Sequence, residues 1–94
     1  MQGHLMQQTT LIICNKRGLH ARAAAKFVET AAQYEASIRV HFSGKEADGK
    51  SIMSLLMLAA GHGSEILLTA HGNDEHNAAK ALQELINNRF HEES

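Results

Sequence analysis

Three stretches of this 94-residue chain alternate apolar with polar side chains, and a sheet built from them keeps one face for water. Leu11 and Ile13 oppose Thr10, Ile12 and Cys14. Ala36, Ile38, Val40 and Phe42 oppose Ser37, Arg39 and His41. Ile66, Leu68 and Ala70 lie beneath Glu65, Thr69 and His71 within a run from Ser64 to His71. Between the turn signals Ser43-Gly44 and Asp48-Gly49 there is room only for a short strand over Lys45 to Ala47.

Helical spacing fills the intervals. A first helix is expected from about Ala21 to Tyr34, with Ala24, Phe27, Val28, Ala31 and Ala32 as its buried stripe. A second follows Lys50 with Ser51 as its cap and runs to Gly61-His62-Gly63. Ile52, Leu55, Leu56 and Ala59 form one apolar stripe, and Met53, Met57 and Ala60 a neighbouring one, together wider than a core face needs. The last helix is expected after an Asn73 cap, with Asp74 and Glu75 complementing the dipole. Ala78, Leu82, Leu85 and Ile86 line its inner side until about Phe90. The order βαββαβα predicts an α+β open-faced β-sandwich, a four-stranded, mainly antiparallel sheet with three helices on one face. The domain should span residues 9–90. Residues 1–8 are read as a flexible N-terminal tail, with Met6 an alternative start, and residues 91–94 as a fraying C-terminal tail.

Composition narrows the function. Nine Lys and Arg against ten Asp and Glu, both signs dispersed, with no Trp and little aromatic surface, leave no footprint for nucleic acid. One cysteine, Cys14, excludes a disulfide framework and reads as an inert buried thiol. No apolar run reaches membrane-spanning length, and no secretory segment is evident, so a cytoplasmic protein is expected. The histidines at 4, 41, 62, 71, 76 and 91 show no metal-ligand spacing, so no metal or cofactor is expected.

His20 stands apart, because it falls where a strand pattern ends at Gly18 and an alanine-rich helix begins. The first helical amides, here Ala21, Arg22 and Ala23, have no intrahelical partners and carry the positive end of the dipole, an arrangement that welcomes phosphate. A positive dipole end disfavours imidazolium and leaves a ring nitrogen free to act as a nucleophile. Arg22 can bring a planar fork of donors to the same phosphate. The competing reading is that His20 merely caps the helix.

Gly18-Leu19-His20-Ala21-Arg22, followed by Ala24-Ala25-Lys26-Phe27-Val28, resembles the active-site signature of the HPr family, histidine phosphocarriers of the bacterial phosphotransferase system. Gly49-Lys50-Ser51-Ile52-Met53-Ser54-Leu55-Leu56-Met57-Leu58-Ala59-Ala60 resembles that family's second helix. The run Leu55 to Leu58 and the ending Ile86-Asn87-Asn88-Arg89-Phe90 are closer to NPr, the nitrogen-related branch, than to the sugar-transport HPr. Ala23 stands where most of the family has proline, a tolerable change in a first helical turn. The resemblance implies that His20 takes a phosphoryl group on Nδ1 from a phosphoenolpyruvate-dependent enzyme I and passes it to an enzyme IIA-type acceptor. It also implies a docking patch formed by Ala25, Ile52, Met53 and Leu56, and Ser51 as a candidate regulatory phosphosite. No general-base partner or enclosed pocket is evident, so stand-alone catalysis on a small substrate is not expected, and a monomer is.

Two other readings compete. One is a binding switch whose targets sense the phosphorylation state. The other is nucleotide binding, since Gly44-Lys45-Glu46-Ala47-Asp48-Gly49-Lys50-Ser51 satisfies the P-loop pattern. Glu46 and Asp48 would place two carboxylates inside a cradle meant for polyphosphate, which argues against it.

Overall fold

Leu11 and Ile13 are buried while Ile12 between them is 47% exposed, as the alternating pattern requires of an edge strand with one face to water. That strand, β1 (Gln7–Ile12), opens the fold in a computed structural model that describes residues 7–94. It is followed by α1 (Ala21–Ala31), β2 (Ser37–Phe42), β3 (Lys45–Asp48), α2 (Ile52–Met57), β4 (Glu65–His71), α3 (Glu75–Asn87) and a short 3-10 turn (Arg89–His91). The four strands form one antiparallel sheet in the order β1-β4-β2-β3. β1 is described from Gln7, two residues ahead of the strand pattern read from Thr9. Met6 and the rest of the expected tail at 1–6 lie outside the described residues.

The helices supply the other half of the core. Ala23, Ala24, Phe27 and Ala31 of α1, Leu55 of α2 and Ala78, Leu82 and Ile86 of α3 are buried with Ile38, Val40, Ile66, Leu68 and Ala70 of the sheet. The small alanines on α1 let its axis lie close to the strands. Phe27 and Phe90 are the largest side chains removed from water.

Several boundaries differ from the sequence expectation, each for a physical reason. α1 stops at Ala31, so Ala32 is exposed, because the chain must turn to enter β2. Phe42 is only half-buried at the open end of β2. Thr69 is buried although it faces away from the helices, because β4 is an inner strand flanked by Gln8 and Arg39. α2 ends at Met57 rather than at Gly61. Ala59 takes a left-handed φ of 56°, and the Ala60 carbonyl leaves the helix to accept the Leu19 amide at 2.9 Å. Asp74, not Asn73, is the N-cap of α3. Its carboxylate reaches across to the Glu35 and Ala36 amides, both at 2.9 Å, and ties the end of the α1–β2 connection to α3. Ser51 caps α2 as expected, accepting from the Ser54 amide at 3.2 Å.

Candidate functional site

The loop from β1 to α1 is held from three sides. The Asn15 side chain, fully buried, donates from Nδ2 to the Gly18 carbonyl at 2.8 Å. Gly18 has φ +70° and packs so tightly that a Cβ there would lie 2.6 Å from Gly61 Cα and 2.9 Å from the Ala60 carbonyl oxygen. Only glycine meets both demands. With the Leu19 amide bonded to Ala60, the loop delivers His20 to the N-cap of α1 in an extended conformation, φ −79° and ψ 179°.

His20 occupies the N-cap position, but its side chain makes no capping hydrogen bond to the helix. The first intrahelical bond runs from the Ala24 amide to the His20 carbonyl at 2.8 Å, so the amides of Ala21, Arg22 and Ala23 precede the ladder at the positive end of α1. Ala23 is fully buried in that turn, and the amide that a proline would lack is one of these three.

Arg22 is exposed and forms no hydrogen bond or ion pair with another described residue. With Arg17, His91, Glu92, Glu93 and Ser94 it lines an open depression of about 320 Å³, whose Glu92 is the residue paired with His20. A group entering there meets two guanidinium-bearing side chains and the carboxylates of Glu92 and Glu93.

Glu92 is the residue that sequence reasoning missed. Its Oε2 pairs with His20 Nε2, and its Oε1 accepts from Asn15 Nδ2 at 3.0 Å. His20 is left 15% exposed. Partial burial works to raise the Glu92 carboxyl, but hydrogen bonds from Asn15 and His20 and the charges of His20 and Arg17 outweigh it and hold the group below its ordinary value. The chain reaches this point through Phe90, fully buried, and through Lys26, whose Nζ donates to the Phe90 carbonyl at 2.7 Å. The chain is thus tied at Phe90 and again at Glu92, which lies within the stretch 91–94 that was expected to fray. An apolar residue so close to a polar end was the one available signal.

The remaining sequence candidates separate. Ala25, Ile52 and Met53 are exposed, the last by 67%, and Leu56 is half-buried. Met57, at 72%, adds to the apolar surface of α2. The P-loop match folds as a turn, the strand β3, a second turn and a cap. Lys50 Nζ donates to the Tyr34 carbonyl at 2.7 Å, and the Lys50 amide donates to Asp48 Oδ1 at 2.9 Å, so neither is turned toward a phosphate cradle. Cys14 is half-buried, with its Sγ 3.2 Å from the Ile86 carbonyl oxygen.

Residues 7–88 match the family described as the PTS HPr component phosphorylation site. The chain belongs to the HPr family. Its relatives include the phosphocarrier protein HPr of Xylella fastidiosa, 44% identical over 89 residues that cover 95% of this chain and all of the relative. The HPr of Pseudomonas aeruginosa is 51% identical, covering 93% and 98%. A crystal structure of HPr from Thermoanaerobacter tengcongensis superposes with a TM-score of 0.90 at 43% identity, covering 94% of this chain and 99% of that one. The antiparallel open sheet with three helices is the HPr architecture, and the protein is an HPr phosphocarrier of the phosphotransferase system. Among the described residues, no helix is long and apolar enough to cross a membrane, and no cluster of side chains could hold a metal ion.

Proposed function

We propose that this HPr-family chain accepts a phosphoryl group on His20 from a phosphoenolpyruvate-dependent enzyme I and donates it to an enzyme IIA-type protein in the nitrogen-related branch. The observation that carries the reading is the position of His20 at the N-cap of an 11-residue helix, with the amides of Ala21, Arg22 and Ala23 ahead of the hydrogen-bond ladder. Those amides and the Arg22 guanidinium stabilise the phosphate oxygens, in transfer and in the charged carrier. The branch rests on the Leu55 to Leu58 run and the ending Ile86 to Phe90, which resemble NPr.

The apolar surface of α2, with Ile52, Met53 and Leu56, and Ala25 on α1, is the docking patch. Flexible methionines suit a surface that must fit both a donor and an acceptor. His20, Arg22, Asn15 and Glu92 come from one chain, so a monomer carries the complete site; a single cysteine, with no disulfide to form within the chain, fits the cytoplasm as its place of work. Ser51 is occupied as a helix cap; a phosphate on it would change the charge at the edge of the docking patch.

The test is intact mass after incubation with a nitrogen-related enzyme I and phosphoenolpyruvate. One acid-labile phosphate is expected on the wild-type protein and none on His20→Ala. Equal labelling of both proteins would place the acceptor elsewhere, and labelling only by a sugar-branch enzyme I would move the protein to that branch.

A further inference from the structure

We propose that Glu92 is a positioning residue for phosphoryl transfer: held by Asn15, it keeps the His20 proton on Nε2 so that Nδ1 presents its lone pair to the incoming phosphorus. The role rests on His20 being the phosphoryl acceptor.

The arrangement is built rather than incidental. Glu92 lies 72 residues from His20 in sequence and reaches it only because Arg89, Phe90 and His91 take left-handed φ values of 57°, 54° and 63°. Three successive non-glycine residues in that region cost roughly 1 kcal/mol or more each, so the turn persists only where other contacts hold it. Phe90 is buried without residual exposure, Lys26 binds its carbonyl, and the Glu92 amide donates back to the Arg89 carbonyl at 2.9 Å. Asn15 completes the clamp. Its Nδ2 has two acceptors, the Gly18 carbonyl at 2.8 Å and Glu92 Oε1 at 3.0 Å, so a flipped amide would set its oxygen against two others. Asn15 Oδ1 is buried and has no partner among the described residues, so the amide is oriented by what Nδ2 does.

The proton assignment follows. An ionised carboxylate only accepts, so the hydrogen between Glu92 Oε2 and His20 Nε2 belongs to the ring. When the ring carries one proton, Nδ1 is therefore the nitrogen with the free pair. In the charging step the Nδ1 pair attacks phosphorus and the Nδ1–P bond forms. The bond from phosphorus to the donor breaks, and its electron pair leaves with the donor. Nε2 keeps its proton, so the ring gains a positive charge that faces the Glu92 carboxylate. In the discharging step the acceptor's pair attacks phosphorus, the Nδ1–P pair returns to the ring, and Nε2–H is again unchanged. Neither step needs a proton exchanged with water. The other charged or titratable groups lining the depression beside Glu92 are Arg17 on the preceding loop, Arg22 on α1, and His91 and Glu93 next to Glu92 in sequence.

The experiment uses the full-length, 15N-labelled chain and reads the His20 ring without any donor. The wild-type protein is expected to show an observable Nε2–H and an unprotonated Nδ1 once the ring holds a single proton. In Glu92→Ala the Nε2–H signal should vanish through exchange with water, and the Nδ1–H form should appear. Glu92→Gln keeps an acceptor without the charge and should retain the signal. With enzyme I as donor, the rate at saturating carrier should fall roughly tenfold in Glu92→Ala, the loss of one charge-assisted hydrogen bond. Glu92→Gln should lie between, and the carrier concentration for half-maximal rate should stay the same. Glu29→Ala, which removes a carboxylate from the exposed side of α1, serves as the charge-matched control with no effect on either readout. A Glu92→Ala protein that keeps its Nε2–H signal and charges within twofold of wild type would overturn the proposal. Failure of the wild-type protein to take up phosphate at all would refute the reading of function, and the ring spectra separate that outcome from failure of the clamp.

Discussion

Two regions of this molecule look alike in sequence: a glycine, a basic residue and a helix start follow a strand both at Gly18 to Arg22 and at Gly49 to Ser51. They differ in what happens to their hydrogen-bond donors. At the first, α1 runs 11 residues and its N-cap side chain leaves the opening amides alone. At the second, α2 runs six residues, the Ser51 hydroxyl takes the Ser54 amide, Asp48 takes the Lys50 amide and Tyr34 takes the Lys50 ammonium. The first helix start leaves its three opening amides ahead of the ladder, whereas the second has a side-chain cap and a lysine whose amide and ammonium already have partners within the protein. A phosphate motif therefore has meaning only with an account of where its donors point.

The strongest way to break the contrast is Gly18→Ala. A left-handed φ and a Cβ forced against the Gly61 and Ala60 backbone should destabilise the fold by about 2–4 kcal/mol and slow charging of His20, as seen in urea unfolding and in mass-resolved phosphorylation. Arg22→Ala should leave the fold intact, since its exposed side chain makes no hydrogen bond or ion pair with a described residue, yet lower the charging rate by roughly ten- to a hundredfold, the loss of a guanidinium on phosphate. Ser51→Ala should do the reverse. It removes a cap and about 1 kcal/mol of stability in thermal unfolding, while transfer rates with purified partners stay within a factor of two.

The smallest effect is a pH dependence. Hydrogen bonds from the Glu35 and Ala36 amides, helped by the nearby Lys50 charge, outweigh desolvation and hold the Asp74 carboxyl below its ordinary value, and Glu92 is held low as described above. Both groups release more protons in the folded state than in the unfolded one at mildly acid pH. The stability they contribute is complete above the unfolded carboxylate values and is lost as pH falls through the lower folded ones. Unfolding followed below about pH 4.5 should show that loss, with Asp74→Asn flattening part of it.

Much of this was legible in the residues. Period-two runs placed the inner faces of all the longer strands, and the strand-to-helix junction singled out His20, because alternation and helix ends are local properties. What escaped the sequence is what depends on distant chain. The early end of α2 follows from the Ala60 carbonyl meeting Leu19, the cap of α3 is Asp74 because the α1–β2 connection lies above it, and Thr69 is buried because β4 became an inner strand. Glu92 was hidden for the same reason. Nothing in a run of polar residues after Phe90 tells which side chain will cross the molecule, and the left-handed turn that takes it there has no glycine to announce it.

The strand order carries a consequence for how the protein is born. β1 has no partner until β4 is made, since β4 sits between β1 and β2, and the loop carrying His20 leans on Ala60, Gly61 and Ser64. A chain emerging from the ribosome therefore shows its histidine motif early but cannot shape it until residues near 71 are free to pair. If His20 is the phosphoryl acceptor, as proposed above, uptake of phosphate requires a chain whose synthesis has passed the fourth strand, and a truncation before Glu65 is expected to stay unlabelled.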